Sequence, residues 1–280
     1  MPTHADNKKG AEAHKTKATK KHAHSPCFPY CIQATLEYGF VSVLTHTIQW
    51  GNEGTKFDYV KEGGQSVLLP YWRPTVEVEF LKHHSMEFLY QPIYINTNVV
   101  LQRELQTDDL IFSTGTPVNA QYHFPFYRLT YLYHFIASQR GQLSLGGALQ
   151  IRNATIVFTS QDGSKRFDSR NVGPVPLIVL RGRLTSTWGG WLESQLGGIW
   201  APLKYLNGSG TDVNGWLYEG HVRLGVHAGK RWGFFMGTRA LGGGAIGSAK
   251  KVRPTGGTYN ANVLNTMAAT LGVLFRAGGH

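Results

Sequence analysis

At 280 residues the chain can hold one or two domains, and an all-β barrel of this length is commonly a single one. Its formal net charge is +11, but only 16% of its residues are charged, against 41% hydrophobic and 34 glycines. A water-facing surface usually needs roughly 25–35% charged residues, and no run approaches the ~18 apolar residues of a membrane-spanning helix. An ordinary soluble globule and a helical membrane protein are both disfavoured.

In chain order, residues 1–26 read MPTHADNKKGAEAHKTKATKKHAHSP, rich in Lys, His, Ala and Thr with no apolar periodicity. Such a segment cannot bury enough surface to offset its ordering entropy, so a disordered tail is expected over 1–30. His4, His14, His22 and His24 read as solvated side chains, and neither a metal nor a cofactor is expected. Cys27 and Cys31, in SPCFPYC, are spaced poorly for zinc and fit a small disulfide or two thiols. No basic helix or recognition motif accompanies the positive charge, so nucleic acid is not an expected partner.

From residue 31 to 280 the chain reads as one domain. Long alternating segments predict ten strands, near 34–49, 68–81, 85–96, 120–136, 142–158, 175–187, 190–201, 215–228, 231–242 and 261–275. Four connections are tight: 82–84, 137–141, 188–189 and 229–230. The other five, near 50–67, 97–119, 159–174, 202–214 and 243–260, are long and polar. Strict alternation of long and short connections along an even number of antiparallel strands is the pattern of an outer-membrane barrel, with short periplasmic turns and long extracellular loops. The expected fold is therefore all-β, a single antiparallel up-and-down transmembrane barrel of about ten strands.

The faces of the strands agree. In YRLTYLYHF (127–135), Tyr127, Leu129, Tyr131, Tyr133 and Phe135 share one side, while Arg128, Thr130 and His134 share the other. The apolar face continues through Leu36, Tyr38, Phe40, Phe88, Leu145, Leu149, Phe234 and Met236. The opposite face carries Glu77, Glu79, Glu87, Arg128, His134, Arg152, Arg181, Arg183, Glu219, His221, Arg223 and Arg239. Charges of both signs can pair in a confined interior, which favours lipid outside and a narrow charged lumen inside. By sequential pairing, the acidic arc of Glu77, Glu79 and Glu87 is expected to face the basic arc of Arg128 and Arg152.

Three runs carry a resemblance: STGTPVNAQYHFPFYRLTYLYHF (113–135), GALQIRNATIVF (147–158) and NVGPVPLIVLRGR (171–183). Over roughly residues 84–275 the chain resembles an uncharacterised family of Gram-negative outer-membrane β-barrel proteins, in which a Thr-Pro-Val step precedes a Tyr-Arg-Leu-Thr-Tyr strand and Val-Gly-Pro-Val-Pro-Leu opens a later one. The family's last extracellular loop is usually acidic, whereas here GSAKKVRPTGGTYNAN (247–262) is basic, and RAGGH follows Phe275. The resemblance implies the outer membrane as location; the expected partners are outer-membrane lipid, lipopolysaccharide and the barrel-assembly machinery. It implies no chemistry.

Catalysis would need a base, nucleophile or carboxylate pair at the barrel rim. His123, His134, His221, His227 and Glu77, Glu79, Glu87, Glu193 and Glu219 are the candidate residues, and no rim motif joins them. The expectation is a non-enzymatic barrel with a structural, ligand-presenting or narrow-conduit role. The alternatives are an outer-membrane enzyme acting on lipid A or peptides, and a soluble barrel binding a hydrophobic ligand.

Overall fold

The computed structural model describes residues 30–202, 212–248 and 259–278, and all regular structure within them is β. The expected disorder of the tail and the pairing of Cys27 lie outside the described residues. Tyr30, assigned to the tail by sequence, is the first residue of strand β1, and Cys31 is disulfide-bonded.

Ten long strands form the wall: β1 (Tyr30–Trp50), β3 (Leu68–Phe80), β4 (His84–Gln91), β9 (Phe126–Ala137), β10 (Gly141–Ser160), β11 (Arg166–Thr185), β12 (Gly190–Pro202), β13 (Asp212–Ala228), β14 (Trp232–Ser248) and β15 (Tyr259–Gly278). Each pairs antiparallel with the next, and β15 returns to β1, with Cys31 opposite Gly278, so the sheet closes. Closure leaves no sheet edge in lipid, which is what a β-structure needs to cross a bilayer. Five shorter strands lie towards the end opposite the termini: β2 (Phe57–Asp58), β5 (Tyr94–Val100), β6 (Leu105–Gln106), β7 (Ile111–Phe112) and β8 (Pro117–His123).

Side-chain alternation produces the two surfaces. Leu36, Tyr38, Phe40, Phe88, Tyr131, Leu145, Leu149, Phe234 and Met236 are all exposed, although large and apolar. A contiguous apolar belt of this extent on a closed barrel is a lipid-facing surface. Trp72 meets Tyr90 edge-on within it, ring centroids 5.8 Å apart, and Tyr90 stacks on Tyr127 at 4.8 Å.

Short connections at the end carrying both termini are 81–83, 138–140, 186–189 and 229–231. The reversals at 189 and 229 use glycines with φ of 99° and 72°. At 81–83 the left-handed positions are instead Leu81 and Lys82, φ 51° and 66°, which a Cβ makes costly.

The other end departs from the sequence reading. The connection expected over 159–174 is only 161–165, because β10 runs on to Ser160 and β11 begins at Arg166. This part of β11 went unread because its outer face is polar above the apolar belt, and on its inner face Phe167 is followed only by Ser169, Asn171 and Gly173. Arg166, Asp168 and Arg170 form ion pairs on its exposed face, so no period-two contrast is visible. β5 and β8 also extend into the connection expected over 97–119, and β14 into that expected over 243–260.

The wall is also divided at this end. β3 pairs with β4 only from Thr75 onward, and β11 pairs with β12 only from Ile178 onward. Pro70 and Pro74 lie in the stretch of β3 above that limit, and Pro174 and Pro176 in the corresponding stretch of β11. Proline cannot donate a ladder hydrogen bond and is confined to strand edges, so all four occupy segments paired on one side only. The first long connection, 51–67, folds inward beside the opening at β3. Its Phe57, Tyr59 and Gln65 are buried, and Thr97 Oγ1 donates to Gly63 O.

Candidate functional site: the charged lumen and the cavity above it

Inward positions of the wall strands bring eight arginines (Arg73, Arg128, Arg152, Arg181, Arg183, Arg223, Arg239 and Arg276) against six glutamates (Glu37, Glu77, Glu79, Glu87, Glu193 and Glu219) among the described residues. Most of the pairs span the lumen rather than joining adjacent strands. Glu37 of β1 accepts from Arg73 of β3 at 3.0 Å and from Arg223 of β13. Arg223 also donates to Glu193 of β12 at 2.9 Å, and His221 Nε2 stands 3.3 Å from the same carboxylate. Glu193 is held on its other oxygen by Arg183 of β11, which reaches Glu79 at 3.6 Å.

A second set crosses nearby. Arg181 of β11 pairs with Glu77 of β3, lies 3.4 Å from Glu87 of β4 and donates to Ser85 at 3.2 Å. Glu219 of β13 receives Arg128 from β9 and Arg239 from β14. Arg128 Nε further donates to Gln150 at 3.1 Å. Arg128 and Arg181 are only 1% and 2% exposed, so the lumen at this level is filled by side chains. Interdigitated guanidinium and carboxylate groups suit this confinement because arginine presents its donors as a rigid planar fork.

Glu77, Glu87, Arg128, His134, Arg181, Glu219, His221, Arg223 and Arg239 are buried, while Glu79, Arg152 and Arg183 are half-buried. The expected meeting of the Glu77–Glu79–Glu87 arc with Arg128 and Arg152 does not occur. Arg181 and Arg183 take those glutamates, because they stand across the lumen from β3 and β4. Sequence reasoning missed Glu37, Arg73 and Arg276 as lumen groups. Glu37 sits between Leu36 and Tyr38 on the inward phase of β1, so the alternation itself could have found it.

His134 stands apart from the ion pairs. Its Nδ1 is 2.7 Å from Ser144 Oγ, and both residues are buried. His123 lies on the outer face of β8, with Nε2 3.0 Å from Asn96 Oδ1. Among the described residues, no three metal-ligating side chains converge.

Above the ionic layer the lumen becomes aromatic. His46 of β1 stacks on Tyr59 at 4.1 Å and donates from Nδ1 to Gln65 Oε1 at 2.8 Å, drawing the first loop into the mouth. Phe57, Tyr59, Phe112 and Phe158 pack around each other there, with Trp50 against Phe167 at 4.7 Å. Below the ionic layer, Trp191, Phe235 and Leu274 form a small apolar cluster. The lumen is thus stacked as apolar, ionic and aromatic layers.

Beside the aromatic layer lies a cavity of about 170 Å³. Its apolar walls are Ile48, Trp50, Tyr122, Phe124, Leu217 and Leu264, and its polar groups include Arg152, Ser169, Asn260 and Asn262. Gly243 and Ala245 on β14 line it too.

No protein-family model matches the chain, and no curated protein sequence does either. Solved structures do resemble it. The outer-membrane protease OmpT from Escherichia coli superposes with a TM-score of 0.54 at 11% identity, over 90% of this chain and 98% of that one. The outer-membrane protein OprG from Pseudomonas aeruginosa gives 0.35 at 12% identity, over 91% and 98%. The toluene transporter TodX from Pseudomonas putida gives 0.35 at 6% identity, over 90% and 91%. At these identities the likeness is one of fold. Together with the closed ten-stranded wall and its lipid-facing apolar belt, the OmpT superposition gives this chain the fold of an outer-membrane β-barrel.

Proposed function

We propose that the protein is a sealed, non-enzymatic outer-membrane barrel that presents its extracellular end, rather than a diffusion porin. The observation that carries this reading is the ionic layer: Arg128, Arg181, Glu77 and Glu219 are buried and mutually paired across the lumen. Ten strands lie near the size at which side chains fill a barrel, far below the sixteen or more of water-filled porins. Its inward glutamates are taken by arginines, and His134 and His221 face Ser144 and Glu193, which supports a structural role for them over acid–base catalysis. Outside the belt, Arg166 and Arg170 are exposed and suit contact with anionic lipopolysaccharide, while the barrel-assembly machinery is the expected partner during insertion.

Reconstitution in planar bilayers tests the reading. The expected record is a quiet baseline, with no large stable single-channel steps. Ungated steps of porin size would refute it.

A further inference from the structure

We propose that the cavity on the extracellular side of the ionic layer is a binding site for a small amphipathic carboxylate, a single ring or short chain bearing one anionic group, with Arg152 as the counter-cation. The proposal rests on the sealed-barrel reading only in that the ionic layer forms the floor beneath the site.

Arg152 carries the argument. Each of the other seven inward arginines has a glutamate within ion-pair distance, whereas Arg152 has no carboxylate partner among the described residues. Its Nε is buried without a hydrogen-bond partner, and its side chain lines the cavity. A confined guanidinium without an anion is costly, and the usual remedy is a charge-assisted, bidentate contact with a carboxylate. Here the carboxylate would come from outside the chain.

The rest of the cavity fixes the shape of that molecule. Trp50, Tyr122 and Phe124 offer ring faces, while Leu217 and Leu264 close the apolar wall. About 170 Å³ resembles the ~150 Å³ of a cavity known to accept benzene, so one ring with a carboxylate fits and a long acyl chain does not. Entry is possible where the wall is unpaired. Asn171 and Arg170 of β11 line the cavity, in the stretch of that strand lying above the limit of its pairing with β12.

The test uses the full chain purified in a neutral detergent, titrated calorimetrically with benzoate, benzyl alcohol and decanoate. Benzoate should bind the wild type saturably and more tightly than benzyl alcohol, which has the ring without the charge. Arg152→Gln should weaken benzoate about tenfold or more, the worth of one charge-assisted contact, and leave benzyl alcohol unchanged. Ala245→Leu, which fills the cavity without touching the charge, should abolish both. Preserved heat-modifiable migration on gels shows that each variant is folded. If Arg152→Gln does not fold, the benzoate-to-benzyl alcohol ratio in the wild type and the loss in Ala245→Leu still decide. Absence of saturable benzoate binding, or equal benzoate affinity in wild type and Arg152→Gln, would overturn the proposal. Tighter binding of decanoate than benzoate would overturn the size limit and point to an acyl chain from the membrane. Binding is read in micelles and conductance in bilayers, so an open pore that still binds benzoate would sink only the sealed-barrel reading.

Discussion

Arg128 reaches from β9 across the lumen to Glu219 on β13 and also holds Gln150, so one side chain ties three strands together. Bringing such ions out of water costs several kcal/mol each, and the pairing offsets that cost only while every partner is present. Arg128→Ala should therefore destabilise the barrel by roughly 3–5 kcal/mol, since it strands part of a buried carboxylate. Glu219 keeps Arg239, which places the expected loss towards the low end. The midpoint of urea unfolding, followed by loss of the compact gel band, measures it. A change under about 0.5 kcal/mol, the range of an ordinary surface substitution, would mean that the ionic layer contributes little.

Among the strands, β10 shows how the solvent sets what alternation looks like. Leu145, Leu149 and Ile151 face lipid on one phase of the strand, with Gly147 between the first two, and Ser144, Ala148 and Gln150 on the other phase face the buried interior. Leu145 is one pleat from the middle of this apolar run. Leu145→Arg should cost about 2–4 kcal/mol, the depth-dependent penalty for a cation on the lipid face. The same substitution made at Asn153, beyond the run, should cost ~0–1 kcal/mol, as near the interface. Equal unfolding midpoints for the two variants would refute the assignment of the belt. The pattern was legible in the sequence wherever lipid supplied the contrast. It vanished in residues 166–174, where water meets the outer face and Phe167 is the one large apolar side chain on the inner one.

At the scale of the whole molecule, the mouth is closed by residues that no single strand could supply. Tyr59, from the first loop, is fully buried between His46 of β1 and Phe158 of β10. Tyr59→Ala should cost roughly 3–5 kcal/mol, as for other large aromatic truncations. Its hydroxyl has no hydrogen-bond partner, so Tyr59→Phe should be neutral or slightly stabilising. Because the ionic layer lies beneath the mouth, Tyr59→Ala should remain silent in planar bilayers. Conductance in that variant alone would show that the aromatic layer, and not the ionic one, is the seal.

The sequence by itself determined the barrel, its strand number, the lipid-facing side and the inward set of charges. All of these follow from a period of two read against one apolar solvent, a local property of each strand. Only the tertiary structure decided which charges meet. Arg181 finds Glu77, and Arg128 finds Glu219, because closure brings strands from opposite sides of the ring into contact, and no spacing along the chain encodes that diameter. It also decided that 51–67 enters the mouth instead of standing free above it. Arg152 and Arg128 look alike in the sequence, each on the inward phase of its strand. What separates them is the layer in which each ends: Arg128 among glutamates, and Arg152 among aromatic and aliphatic walls with no carboxylate partner.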